Sequence, residues 1–158
     1  MNIPHGLLEL QRDYGKLVLG PDPRGGLRII APIGWEMENM TIVSGWPGYP
    51  HRLYVNKAMV EPLTAALSAA MVACPNYRVR TMGCFNPRLK RVNGAISVHA
   101  WGLAVDINAD TNPQTKPGQP VVRDIPDAFG EAFEAAGFTW GLRFNSPDPQ
   151  HFQLAKSY

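Results

Sequence analysis

Fifteen glycines and fifteen prolines are spread through the 158 residues, and their placement decides where regular structure can run. Proline removes a backbone donor, and glycine favours turns over helix and strand interiors. Residues 1–50 contain GPDPRGGL, APIGW and GWPGYP and read as turns, short strands and loop. Residues 110–123, DTNPQTKPGQPVVR, form a long polar loop in which Thr111, Asn112, Pro113 and Gly118 exclude regular structure. Between these stretches, Val60, Leu63, Leu67, Met71 and Cys74 recur at about 3.6-residue spacing and predict a helix. Pro62 suits its first turn and Pro75 stops it.

The remaining segments read as short strands and one further helix. His51–Asn56 predicts a short strand, Tyr77–Cys84 alternates in strand fashion, and Leu103–Asn108 is a further strand. Asp124 with Pro126 opens a second helix, Phe129 and Phe133 mark its apolar face, and Gly137 ends it. Phe138–Gly141 and His151–Leu154 close the chain as strands. Separated helices and hairpin-like strands predict an α+β fold, a small antiparallel sheet with flanking helices. The length suits a single domain over 1–158, with 1–50 as its loop-rich N-terminal part.

Composition excludes several classes. With 45% hydrophobic and 18% charged residues the chain is globular rather than disordered. A net charge of +2 is far from the footprint of a nucleic-acid binder. No apolar run approaches the roughly eighteen residues that span a bilayer, so no membrane insertion is expected. The N-terminal MNIPHGLLELQRDYGK has no basic segment followed by a continuous apolar one; a cytoplasmic product is therefore expected, with delivery needed for any substrate beyond the membrane. Cys74 and Cys84 make no disulfide framework and no CxxC pair, and read as free thiols.

Two of the four histidines stand in unusual company. His99 lies in Ser97-Val98-His99-Ala100-Trp101-Gly102-Leu103-Ala104-Val105-Asp106-Ile107-Asn108, and His151 in Asp148-Pro149-Gln150-His151-Phe152-Gln153. Asp106 interrupts an apolar strand, where a carboxylate is costly unless paired or metal-bound. A turn at Gly102 would let that strand present Asp106 towards His99. Two neutral imidazoles and one carboxylate are the donor set of a catalytic zinc site that keeps a position open. Asp148, on a turn stiffened by Pro147 and Pro149, is placed to act as a general base without being a ligand.

Ser97-x-His99-x-x-Gly102-x-Ala104-x-Asp106-Ile107, followed by Asp148-Pro149-x-His151-Phe152, closely resembles the D-Ala-D-Ala carboxypeptidase family of zinc metallopeptidases. The nearest branch is that of phage L-alanyl-D-glutamate endopeptidase endolysins, which Arg88 before Asn93-Gly94 and Trp140-Gly141 also match. The resemblance implies a hedgehog/DD-peptidase-like fold and one Zn2+ per chain on His99, Asp106 and His151. It assigns Asp148 the proton transfer from water to the leaving amine, and Arg88 the oxyanion or a substrate carboxylate. Ser97 would orient the site, and Trp140 is divided between core and substrate groove. The implied partner is a peptidoglycan stem peptide, cut by a monomer acting on the cell wall after release, in a host periplasm. L-Ala–D-Glu is the expected bond and terminal D-Ala-D-Ala the alternative; a non-catalytic zinc-binding module and a phage structural component are the readings from other classes. Arg78, Arg80, Lys90 and Arg91 read as a solvated basic stretch around the site, and His5 and His51 as surface or structural residues.

Overall fold

The computed structural model describes residues 3–91 and 93–158. Its elements run α1 (Gly6–Tyr14), β1 (Val18–Pro21), β2 (Leu27–Ile30), α2 (Trp35–Asn39), β3 (Met40–Val43), β4 (Leu53–Asn56), α3 (Val60–Ala73), β5 (Met82–Gly83), β6 (Ala104–Ile107), α4 (Asp127–Ala135), β7 (Thr139–Trp140) and β8 (His151–Gln153). Three 3-10 turns, at Lys57–Met59, Val98–Trp101 and Gly141–Arg143, join them. Strands β1 and β2 form one antiparallel hairpin and β3 pairs with β4 in another. The third sheet has the order β5-β6-β8-β7, all antiparallel. The fold is α+β with small antiparallel sheets, as the sequence predicts.

The two faces of the four-stranded sheet do different work, because side chains alternate along a strand. Val105, Ile107 and Phe152 point into a core completed by Leu63, Ala66, Leu67 and Ala70 of α3 and by Phe129 and Phe133 of α4. Phe152 sits between rings, 4.4 Å from Phe133 and stacked 5.7 Å from Trp140. The opposite face carries Ala104, Asp106, His151 and Gln153. Here the register sets Asp106 directly opposite His151 and Ala104 opposite Gln153. A second apolar cluster, including Leu10, Leu17, Trp35, Met40, Trp101 and Leu103, supports this side.

The first fifty residues are more ordered than their glycine and proline content predicts. This stretch holds the β1–β2 hairpin and strand β3, but also the unforeseen helices α1 and α2. Residues 7–14 contain no Gly or Pro, and Leu10 is fully buried. Two indoles anchor α1: Trp35 Nε1 donates to Tyr14 O at 2.6 Å and Trp101 Nε1 to Gly15 O at 2.9 Å.

The expected strand Tyr77–Cys84 shrinks to Met82–Gly83, for a physical reason. Asn108, at φ 46°, turns the chain out of β6 and offers its side chain where a neighbouring strand would run. Its Oδ1 accepts from Arg80 N and Thr81 N at 2.8 and 3.1 Å, and its Nδ2 donates to Arg78 O at 2.8 Å. Those backbone groups are satisfied without a ladder. The second helix begins at Asp127 rather than Asp124, with Pro126 at its cap. Residues 110–123 form no regular element. Both cysteines are free thiols, Cys84 buried and Cys74 half-buried.

Candidate metal centre and cleft

His99 reaches the site from a tight turn. The Ser97 hydroxyl accepts from His99 N at 3.4 Å, and Gly102, at φ 66°, closes the turn by donating to His99 O and Val98 O. A side chain at Gly102 would also collide with Asn56 N at 2.8 Å and Met40 Cε at 2.6 Å. Asn56 Nδ2 donates to Trp101 O at 3.0 Å, tying the turn to β4. Glycine is required here by both conformation and space.

His151 arrives from the other direction. Asp148-Pro149-Gln150-His151 is a turn in which His151 N donates to Asp148 O at 3.0 Å, with proline at the position whose φ it presets. The turn is anchored by Asp148 N donating to Gly141 O at 2.9 Å and by Trp140 Nε1 donating to Pro149 O at 2.8 Å. Gly141 lies so close beneath that a Cβ there would meet Asp148 O at 2.5 Å.

Three donor atoms converge where these segments meet β6. His99 Nε2 is 3.1 Å from Asp106 Oδ1, His151 Nδ1 is 3.0 Å from the same oxygen, and the two nitrogens are 3.1 Å apart. His99, Asp106 and His151 form a group able to hold a metal ion. Ligands about 2.0–2.1 Å from a tetrahedral zinc lie about 3.3 Å from one another, close to the observed separations. The chemistry of the donors fits as well. His99 Nδ1 is 2.6 Å from Cys84 O, a group that only accepts, so Nδ1 carries the proton and Nε2 presents its lone pair. The outer nitrogen of His151 meets Gln153 Oε1 at 3.0 Å.

Electrostatics agree with this grouping. Burial opposes ionisation of Asp106, but in the metal-free protein the facing nitrogens of His151 and His99, when protonated, donate to it, outweigh burial and hold the carboxyl well below the usual range. Burial likewise opposes charge on His151, but without a cation a proton on its facing nitrogen can bond Asp106, and this raises the imidazole above its ordinary value. Burial pushes the Asp148 carboxyl up. Its Oδ1 is shielded from solvent and has no hydrogen-bond partner.

These residues open into a cleft of about 410 Å³ lined by Asp106, Asp148, His151, Gln153, Ser97 and Arg88 among others. Five of the seven residues singled out in the sequence thus line the cleft, and His99 joins them from behind through Asp106 and His151; Gln153 is additional. Trp140 is not brought there. It is fully buried, stacks on Phe152, and lies under the guanidinium groups of Arg123 and Arg143 at 5.6 and 5.3 Å. It reaches the cleft only through the turn that it braces.

The basic stretch divides in two. Arg80 bonds Asp110 at 3.2 Å and lies 3.6 Å from Asp124, whereas Lys90 and Arg91 line the cleft beside Arg88. Lys90 is half-buried, with Nζ 3.6 Å from the centre of the Tyr158 ring. Burial lowers its pKa to about 8. Gln153 was missed in the sequence; its signal was the two-residue spacing from His151, which puts both on one face of a strand.

A three-donor group and a shielded carboxylate in one cleft are the parts of a metal-assisted hydrolytic site. Residues 91–154 match the family model described as D-alanyl-D-alanine carboxypeptidase, a peptidase family. The match covers fewer than half of the 158 residues; it contains Ser97, His99, Asp106, Trp140, Asp148 and His151, and excludes Arg88. No curated protein and no solved structure gives a significant match to the chain.

Proposed function

We propose that this chain is a zinc peptidase that cuts an amide bond in peptidoglycan stem peptides, with L-Ala–D-Glu as the bond. The observation that carries the reading is the convergence of His99 Nε2, His151 Nδ1 and Asp106 Oδ1 at a cleft that also holds the half-buried Asp148 carboxylate. His99, Asp106 and His151 would hold one zinc per chain. Zinc there supplies Lewis acidity towards a carbonyl oxygen and acidifies water.

The chain's own residues do the rest. The Asp148 carboxylate accepts a proton from the attacking water and returns it to the leaving amine; its raised pKa suits it to both tasks. Arg88 meets the negative charge that develops on the carbonyl oxygen, or a substrate carboxylate, with a planar fork of donors. Ser97 holds the His99 turn. Lys90 and Arg91 add positive charge to the same wall and favour an anionic peptide. We read 1–158 as one domain acting as a monomer on the cell wall after release, as a phage lysin does in a host periplasm. Among the described residues no helix is long and apolar enough to cross a membrane.

The description of the matching family favours a second reading, removal of a terminal D-Ala. A zinc-binding module without turnover is opposed by Asp148, since a module that only binds needs no base. Digestion of intact muropeptides followed by mass spectrometry separates the three. New N-terminal D-Glu peptides support the endopeptidase, single D-Ala released with the L-Ala–D-Glu bond intact supports the carboxypeptidase, and no cleavage by zinc-loaded protein refutes both.

A further inference from the structure

The two histidines of the site are oriented by different means. The Nδ1 proton of His99 goes to a backbone carbonyl, Cys84 O, which cannot exchange donor for acceptor. The outer nitrogen of His151 instead faces a side-chain amide, Gln153 Oε1 at 3.0 Å, and an amide can present either end. What decides the end is the segment that follows β8. Gln153 Nε2 donates to Ala155 O at 3.0 Å and to Tyr158 O at 3.2 Å. Rotating the amide by half a turn would set its oxygen against both backbone oxygens and lose two hydrogen bonds inside a region where Gln153 is 2% exposed.

We propose that Gln153 is a positioning residue that selects which nitrogen of His151 serves as the metal donor. Its oxygen takes the Nε2 proton, so the lone pair of Nδ1 is the one that faces His99 and Asp106. This rests on the metal-site reading above. The alternative tautomer would place an N–H between the three donors, where it would close the site by hydrogen-bonding Asp106 and oppose a cation. The backbone oxygens of Ala155 and Tyr158 thereby act on the metal site through Gln153, without touching it.

Substitutions at 153 test this when metal affinity and fold stability are read separately. Zinc affinity is measured by competition with a chromophoric chelator, and folding by urea unfolding of the metal-free protein. Gln153→Met keeps length and burial but offers His151 no acceptor; zinc affinity is expected to fall about 10–100-fold, the usual effect of losing a histidine's outer partner. Gln153→Glu keeps an acceptor towards His151 and loses the donors to Ala155 O and Tyr158 O. It is expected to be less stable yet to bind zinc within a few-fold of the native protein, a rescue that a purely structural role does not give. Native-like zinc affinity in folded Gln153→Met, or equal losses in Met and Glu, overturns the proposal. Failure of the native protein to bind zinc would overturn the metal-site reading itself, which is a separate outcome.

Discussion

Adding one methyl group at Gly141 tests how the proposed base and a proposed ligand are held. A Cβ at this position meets Asp148 O at 2.5 Å, His151 Cβ at 3.1 Å and Asp148 Cβ at 3.2 Å. The first of these is backbone and cannot rotate away, so the Asp148 peptide must retreat by about 0.9 Å to reach the 3.4 Å at which ordinary contact begins. That oxygen accepts from His151 N, and Asp148 N donates to Gly141 O; the displacement therefore carries both residues. Overpacking of this kind costs about 1–3 kcal/mol, and misplacing reacting groups by about 1 Å costs about 10²-fold in rate. Gly141→Ala is expected to show both effects in urea unfolding and in muropeptide hydrolysis by zinc-loaded protein. Gly83→Ala is the control: it lies opposite Asp106 in β5, outside the positive-φ region, and a Cβ there meets nothing within 4 Å. It should stay within about 0.5 kcal/mol of the native protein and keep its activity. If Gly141→Ala matches that control, the close approach does not hold the turn. If it loses stability while retaining full activity, the turn does not position the base.

Asp148→Asn should retain zinc, lose about 10²–10⁴-fold in hydrolysis and raise the melting temperature of the metal-free protein at neutral pH. Burial raises the folded pKa of Asp148 above the unfolded value of about 3.9, so its charge destabilises the fold at neutral pH. The advantage of Asn should shrink as pH falls through the folded pKa and the native carboxyl protonates; a gap that widens on acidification refutes the assignment. His99→Ala and His151→Ala should each lose most of a single zinc equivalent in metal analysis after dialysis, and full retention in both would remove them as ligands. Asn112→Ala should lower unfolding free energy by about 1–3 kcal/mol. The fully buried Asn112 accepts from Asp124 N and Ile125 N at 2.8 and 3.0 Å, and a urea midpoint equal to the native one would refute this role.

Local features of the chain were legible because their causes are local. Helix α3 follows from apolar spacing that starts at Val60, with Pro62 in its first turn and Pro75 beyond its end, and the turn at Gly102 from a glycine between His99 and an apolar run. The donor residues stood out because a carboxylate inside such a run is costly. Glycines and prolines dominate the pattern of the first fifty residues and mask α1, whose stability comes from Leu10 and from indoles at 35 and 101, partners remote in sequence. The strand at Tyr77–Cys84 was overextended because alternation is visible locally, while the side chain of Asn108 that takes over its hydrogen bonds comes from a distant turn.

By itself the sequence determined the α+β class, the main helix and the set of residues able to bind a metal. Tertiary structure decided how those residues meet. Asp106 stands opposite His151 because β6 and β8 pair in one register, and a slip of one residue would send either side chain to the helix-covered face. The pairing of β7 with β8 sets Trp140 opposite Phe152 and leaves it in the core instead of the cleft. Register and packing depend on contacts between segments some fifty residues apart, and periodicity within a segment carries no information about them.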